Sequence, residues 1–250
     1  KMAKRPKTFL FFMSFFGRMF YEVCDVDPGY DKLMAIIGLG GTGKSLIGEL
    51  VTYLQPHCFY YKSCPEKVFG LEDLPGKKAI IVEEASDQSS IPQDVFLQFG
   101  SARGRSGIPM VASRKGKVQM TFQLTMPFLI IGNSCPRLDD TQGQIFRRIM
   151  GFLMAAEVKA NQKDDTLREK LRSEIAKIFV CCNRAYLNMI RCVGKLSIDS
   201  IAWDTEHRRD VKNIVHHTSM VSKFVESNSK IISYNPSERG ILSSRIMPLE

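Results

Sequence analysis

The chain has 250 residues, 44% hydrophobic and 24% charged, a balance that suits one sizeable folded core and argues against collagen-like, mucin-like or mostly disordered chains. Lys and Arg number 35 against 26 Asp and Glu, for a net charge of +9, which fits an anionic partner, nucleic acid first among them. The seven Cys are odd in number and include no CxxC pair, so a disulfide framework is not expected and a reducing, intracellular compartment is.

Taken in chain order, Lys1, Lys4, Arg5 and Lys7 precede the apolar run Phe9–Phe16. The run is far shorter than the ~20 apolar residues that span a bilayer, and Arg18 interrupts it before any signal-peptide cleavage site. Residues 8–24 therefore read as a helix with one buried face, with a membrane-surface helix as the alternative. The first residue is Lys rather than Met, so the chain reads as an excerpt of something longer. Leu33–Ile37 is a buried strand feeding a Gly cluster. Residues 44–54 carry Leu46, Leu50 and Leu54 at helical spacing, and Pro56 ends that helix. Cys58–Tyr61, Ala79–Val82, Phe128–Ile131 and Ile149–Leu153 read as further strands. A turn is expected over 74–78 and a short helix over 92–99. From 165 to 193 the pattern is helical, with Leu167, Leu171, Ile175, Ile178, Cys182 and Leu187 on one face. Beyond 195 the chain turns polar, as the start of a further domain would. Nearly all-apolar strands alternating with helices predict an α/β fold, a parallel sheet of about five strands covered on both faces. Functional groups then gather at the carboxyl ends of the strands.

Those ends carry chemistry. Gly38-Leu39-Gly40-Gly41-Thr42-Gly43-Lys44-Ser45 matches GxxxxGK[ST] between a strand and a helix. Glycines let successive N–H groups turn inward around phosphate oxygens, and the helix N-terminus adds partial positive charge. In that frame Gly38, Gly40, Gly41, Thr42 and Gly43 shape the cradle, Lys44 reaches the β- and γ-phosphates, and Ser45 ligates Mg²⁺. Glu83-Glu84 closes the Ile80–Val82 strand, where a Walker B pair belongs. Glu83 would address the Mg²⁺ through water and Glu84 would orient or deprotonate the attacking water. A solvated strand end is the plain alternative. Asn133 follows the 128–131 strand and would sit beside the γ-phosphate if that strand neighbours the other two. A metal site at His57, Cys58 and Cys64 fits no zinc spacing, so these thiols read as core residues.

A Walker A loop, an acidic pair after an apolar strand, and an apolar strand ending in Asn together resemble the superfamily 3 helicases, a branch of the AAA+ ATPases. The resemblance is to the helicase part of poxvirus-like and phage primase-helicases and covers roughly residues 8–155. It implies an AAA+-like P-loop core over 31–158. Around it lie a helical segment over 1–30, another over 159–195 and a polar tail over 196–250. It implies a basic hairpin that grips single-stranded DNA. Residues 95–138 contain no acid, and Val111–Val118 reads as two strand ends around a basic turn. Arg114, Lys115 and Lys117 are the phosphate contacts this implies; a solvated basic hairpin is the plain alternative. It also implies an arginine finger, Arg148 or Arg147, acting on the γ-phosphate of a neighbouring subunit. One departure is Glu83, where the family often has Asp.

The implied function is ATP-dependent translocation on single-stranded DNA in viral or mobile-element replication. The expected assembly is a hexameric ring with ATP and Mg²⁺, and the expected partners include primase and other replication proteins. The setting is intracellular, in an infected host cell if viral, without stable membrane insertion. Two rivals differ in class: a membrane-associated RNA-virus ATPase of the same superfamily, and a nucleotide-gated DNA-binding assembly module with little turnover.

Overall fold

The five apolar runs pair as one parallel sheet. The structure, a computed structural model, describes residues 6–21, 32–60, 72–85, 108–113, 118–135, 148–154, 156–193 and 213–214. In chain order its elements are helix α1 (Pro6–Arg18), strand β1 (Leu33–Gly38), helix α2 (Lys44–Leu54), strands β2 (Cys58–Tyr60), β3 (Ala79–Ala85), β4 (Ile108–Ala112), β5 (Met120–Leu124), β6 (Phe128–Gly132) and β7 (Ile149–Met154), a 3-10 turn (Ala160–Gln162), and helices α3 (Leu167–Ser173) and α4 (Ile175–Val193). The sheet order is β2-β3-β6-β1-β7, and β4 and β5 form a separate antiparallel pair. The expected helix over 92–99 lies outside the described residues.

Alternation along the strands divides the core into two layers. Met34, Ile36, Ala79, Ile81, Leu129, Ile131, Met150 and Phe152 face α1, α2 and α4. Leu33, Ala35, Ile37, Ile80, Val82, Phe128, Ile130 and Ile149 face the other way, where Met110 and Leu124 of the hairpin cover them. With both faces covered, all six residues of β1 are buried, which is why these strands read as unbroken apolar runs.

The Phe-rich segment is part of this core. Phe11, Phe12, Phe15 and Phe16 are buried in the same cluster as the strands, while Phe9 and Leu10 remain exposed. Among the described residues no helix is long and apolar enough to cross a membrane. The helix is shorter than the expected 8–24. After Arg18 the chain tightens into i to i−3 bonds, with the N–H groups of Met19, Phe20 and Tyr21 donating to Phe16, Gly17 and Arg18. That turn sets Met19 into the core and aims Phe20 and Tyr21 at α4, where they meet the rings of Phe179 and Tyr186. Residues 22–24 lie outside the described ones.

The helical pattern over 165–193 is likewise two helices, separated at Glu174. The two have different targets. On α3, Arg168 pairs with Glu49 of α2 at 2.8 Å and Arg172 lies over the Tyr53 ring. On α4, Cys182, Ala185, Tyr186 and Met189 are buried, and three of them join the α1 cluster.

Helices α1 and α4 touch through Gly17. A Cβ there would stand 2.1 Å from the Cys182 carbonyl oxygen and 2.7 Å from the Tyr186 Cβ. Those are backbone and stem atoms, so the helices themselves must separate to admit a methyl. Gly17→Ala is expected to cost about 2 kcal/mol of stability, measured as a lower denaturant midpoint. An unchanged midpoint would mean that the close crossing is not a constraint.

Candidate nucleotide site

The loop after β1 is shaped by its glycines. Gly41 and Gly43 have φ of +72° and +90°, a region that side chains with a Cβ rarely occupy. Gly43 is the N-cap of α2 and is left-handed, and no side chain caps the helix. Most helices place Ser, Thr, Asp or Asn there to accept the first N–H groups. Here those donors and the positive end of the helix dipole are directed to whatever fills the loop. A Cβ on Gly40 or Gly43 would meet nothing within 4 Å, so open space surrounds the backbone there. The geometry fits a phosphate chain.

Lys44 lies inside this loop. Its Nζ donates to the carbonyl oxygens of Gly38 at 2.6 Å and Leu39 at 2.5 Å, and to Thr42 Oγ1 at 3.3 Å. Thr42 Oγ1 in turn donates to Leu39 O at 2.9 Å. Burial lowers the Lys44 pKa from its ordinary value. Ser45 is exposed in the first turn of α2.

The acidic pair sits on an irregularity. Val82 pairs with Ile130, but Ala85, not Glu84, pairs with Gly132. The strand therefore carries one extra residue at Glu83-Glu84, a bulge of the kind that re-aims side chains beside functional sites. Glu83 reaches α2: its Oε1 is 2.6 Å from where a Cβ on Gly48 would be. Gly48 is one helical turn beyond Ser45, so the carboxylate lies against the helix face that carries Ser45. A hydroxyl and a carboxylate are the oxygen-donor chemistry that a hard divalent cation takes. Across on β2, the Tyr60 phenol is pushed up by burial first and by the Glu83 charge second. Glu84 belongs to β3, and its side chain lies outside the described residues.

Asn133 is placed as the sheet order demands. β6 lies between β1 and β3, and Ile37 pairs with Gly132. Asn133 is thus level with Gly38, exposed at the sheet's carboxyl edge between the loop and the glutamates. Arg148 is at the other edge. It precedes β7, whose Ile149 pairs with Leu33 and whose Met154 pairs with Gly38. Six residues of strand separate it from the loop of its own chain, about 20 Å at ~3.3 Å per residue. Arg147, Arg114, Lys115 and Lys117 lie outside the described residues. The hairpin that would present the last three is there, from β4 through an exposed Val118 to β5.

A family model described as a family of unknown function, DUF5906, matches residues 36–148. That stretch begins in β1 and ends at Arg148, and takes in the loop, the glutamates, the hairpin and Asn133. No curated protein matches the chain. Among solved structures, an apo structure of the NrS-1 C-terminal region aligns with 84% of this chain at 13% identity and a TM-score of 0.54. A second apo structure of the same region (305–718) aligns with 86% at 13% identity and the same score. The α/β fold with its parallel sheet and flanking helices is shared with the NrS-1 region. This chain spans about half the length of the NrS-1 structures, 47% and 49%. A structure of JCV helicase aligns at 14% identity over 80% of this chain and 56% of its own, but its TM-score of 0.37 adds no support. At 13% identity the likeness to the NrS-1 region is one of fold alone.

Three residues around the loop escaped the sequence reading. Gly48 and Tyr60 flank Glu83, and Glu157 touches Gly41. The first two were silent because contacts between elements leave no periodic trace. Glu157 had a faint signal, since it follows a parallel strand's carboxyl end. The alternative of metal-binding thiols finds no support in this region. Cys58 is buried with its pKa pushed up to about 11, and Cys64 lies outside the described residues. Among the described residues no cluster of three or more His, Cys, Asp or Glu is placed to hold a metal.

Proposed function

We propose that the chain is the ATPase core of a superfamily 3 helicase that moves along single-stranded DNA as a ring. One observation carries this: an uncapped, glycine-shaped loop holds Lys44, with Asn133 and Glu83 set beside it in strand order at one sheet edge. In this reading Lys44 leaves its loop carbonyls to neutralise the β- and γ-phosphates. Mg²⁺ would be held by Ser45 and, through water, by Glu83, and supplies charge neutralisation when bound. Glu84 takes the proton of the attacking water, and Asn133 orients that water.

The proposed assembly is supported by the position of Arg148 ahead of β7. At about 20 Å from its own loop, it serves a γ-phosphate only on a neighbour, with Arg147 as the other candidate. A ring of six gives every site such a neighbour. The hairpin residues Arg114, Lys115 and Lys117 then contact the strand's phosphates. The proposed setting is replication inside a cell, an infected host cell if the source is viral, beside a primase and other replication proteins.

The test is phosphate release with and without single-stranded DNA over a range of protein concentrations. Specific activity should rise with concentration and with DNA. Lys115→Ala with Lys117→Ala should lose the DNA stimulation. It should also reduce the slope of log affinity against log salt by about 1.4, two contacts at ~0.7 each for a single strand. Nucleotide binding without turnover would leave the assembly-module reading in its place.

A further inference from the structure

We propose that Glu157 is the sugar-binding residue of this site, accepting hydrogen bonds from the ribose hydroxyls of the nucleotide. The assignment rests on the ATP-binding reading above and adds a specificity-determining residue to it.

The argument begins with direction. The loop after β1 has β6 and β3 on one side and β7 on the other. Asn133 and Glu83 lie on the first side, so the γ-phosphate end of a bound nucleotide points there. The nucleoside end is left to the β7 side. The chain around the end of β7 meets the loop at two points. A Cβ on Gly38 would stand 2.3 Å from Met154 O. The Val158 N–H donates to Gly41 O at 3.0 Å. Between those two contacts is Glu157. A Cβ on Gly41 would be 3.1 Å from its Cγ and 3.3 Å from its Oε1. The side chain is exposed, so a carboxylate stands at the rim of the cradle, tethered through the next residue's backbone.

A carboxylate at that place is unusual chemistry for a phosphate site, because like charges repel. An ionised carboxylate only accepts hydrogen bonds. On the nucleoside side, the neutral donors a nucleotide offers as an adjacent pair are the 2′- and 3′-hydroxyls. Two carboxylate oxygens match two vicinal hydroxyls, and the Val158 tether keeps them in step with the loop. Gly41 has no side chain, which leaves the carboxylate room to lie there. The site should therefore distinguish nucleotides by their sugar.

The test is equilibrium binding of Mg-ADP and Mg-2′,3′-dideoxy-ADP to the 250-residue chain, by calorimetry. The wild type should bind ADP about tenfold more tightly than the dideoxy form, the worth of a hydrogen bond to a charged group. Glu157→Ala should bring that ratio close to one by weakening ADP alone. Glu157→Gln, which keeps an amide oxygen as acceptor, should fall between them. The ratio is internal to each variant, so an inactive fraction cancels. An unchanged ratio in Glu157→Ala overturns the assignment. So does tighter ADP binding, which would make the carboxylate a repulsive gate. A wild type that binds neither nucleotide overturns the ATP reading itself and this assignment with it. Sugar-blind but tight binding defeats the assignment alone.

Discussion

Lys44→Met should abolish ATP turnover and leave the fold standing. The ammonium is the one charge inside the loop that can follow a phosphate chain, and nearby backbone donors cannot replace it. Losing such a preorganised group lowers turnover by about 10³-fold. Stability should move by no more than about 1 kcal/mol, because two effects oppose. Three donated bonds are lost, to Gly38 O, Leu39 O and Thr42 Oγ1, at about 1 kcal/mol each in net terms. Against that, a cation no longer has to be desolvated, and the methionine stem fills much the same space. The sign can be checked through pH. Burial lowers the Lys44 pKa in the fold, so the unfolded chain binds this proton more tightly. Lys44 therefore costs stability when both states are protonated. That cost is relieved as pH rises from the folded pKa toward the unfolded value near 10.5. Melts from neutral to alkaline pH should show this gain in the wild type and not in Lys44→Met. Undiminished phosphate release by Lys44→Met would end the ATPase account.

Much of the architecture was legible because its signals are local. Each of the five sheet strands is an apolar run of a few residues with a polar or glycine boundary, and a strand buried on both faces leaves that trace. Helix α2 was legible because Pro56 follows it and three Leu recur along it. The site was legible where one segment supplies it, as the loop from Gly38 to Ser45 does. Its other half was not. The bulge at Glu83-Glu84 has no glycine or proline to announce it, and it arises only when β3 meets β6. The break at Glu174 is equally silent, since the residues around it are good helix formers and two different partners divide them. The hairpin strands run outward from the stretch read as strand ends around a turn, back to Ile108 and on to Leu124, a length set by their pairing. Glu157 needed the third dimension, because 116 residues of sequence separate it from the Gly41 it touches.

Glu83 stands where the helicases that the sequence resembles often have Asp, and its carboxylate lies against Gly48. A Glu side chain is one methylene longer, and here that length extends against α2. The helix meets it with a residue that has no side chain. A glycine inside a helix costs about 1 kcal/mol relative to alanine, so Gly48→Ala should hold or raise the melting temperature. Yet the new Cβ would be 2.6 Å from Glu83 Oε1 and 3.4 Å from Ile131 Cδ1. The near neighbour is the far end of a flexible side chain, so the carboxylate turns aside and the backbone need not move. A displacement of about 1 Å at such a group costs on the order of 10²-fold in rate. Gly48→Ala should therefore lose about 100-fold in turnover and demand more Mg²⁺ for half-maximal rate, while gaining slightly in stability. Adding Glu83→Asp shortens the displaced group and removes the overlap, so the double variant should recover turnover over Gly48→Ala alone. Glu83→Asp by itself should lose activity, because the shorter carboxylate faces a helix it no longer reaches. The four proteins form a cycle whose coupling term reads the contact directly. If the two losses simply multiply, the glycine and the glutamate are independent and the compensation does not exist.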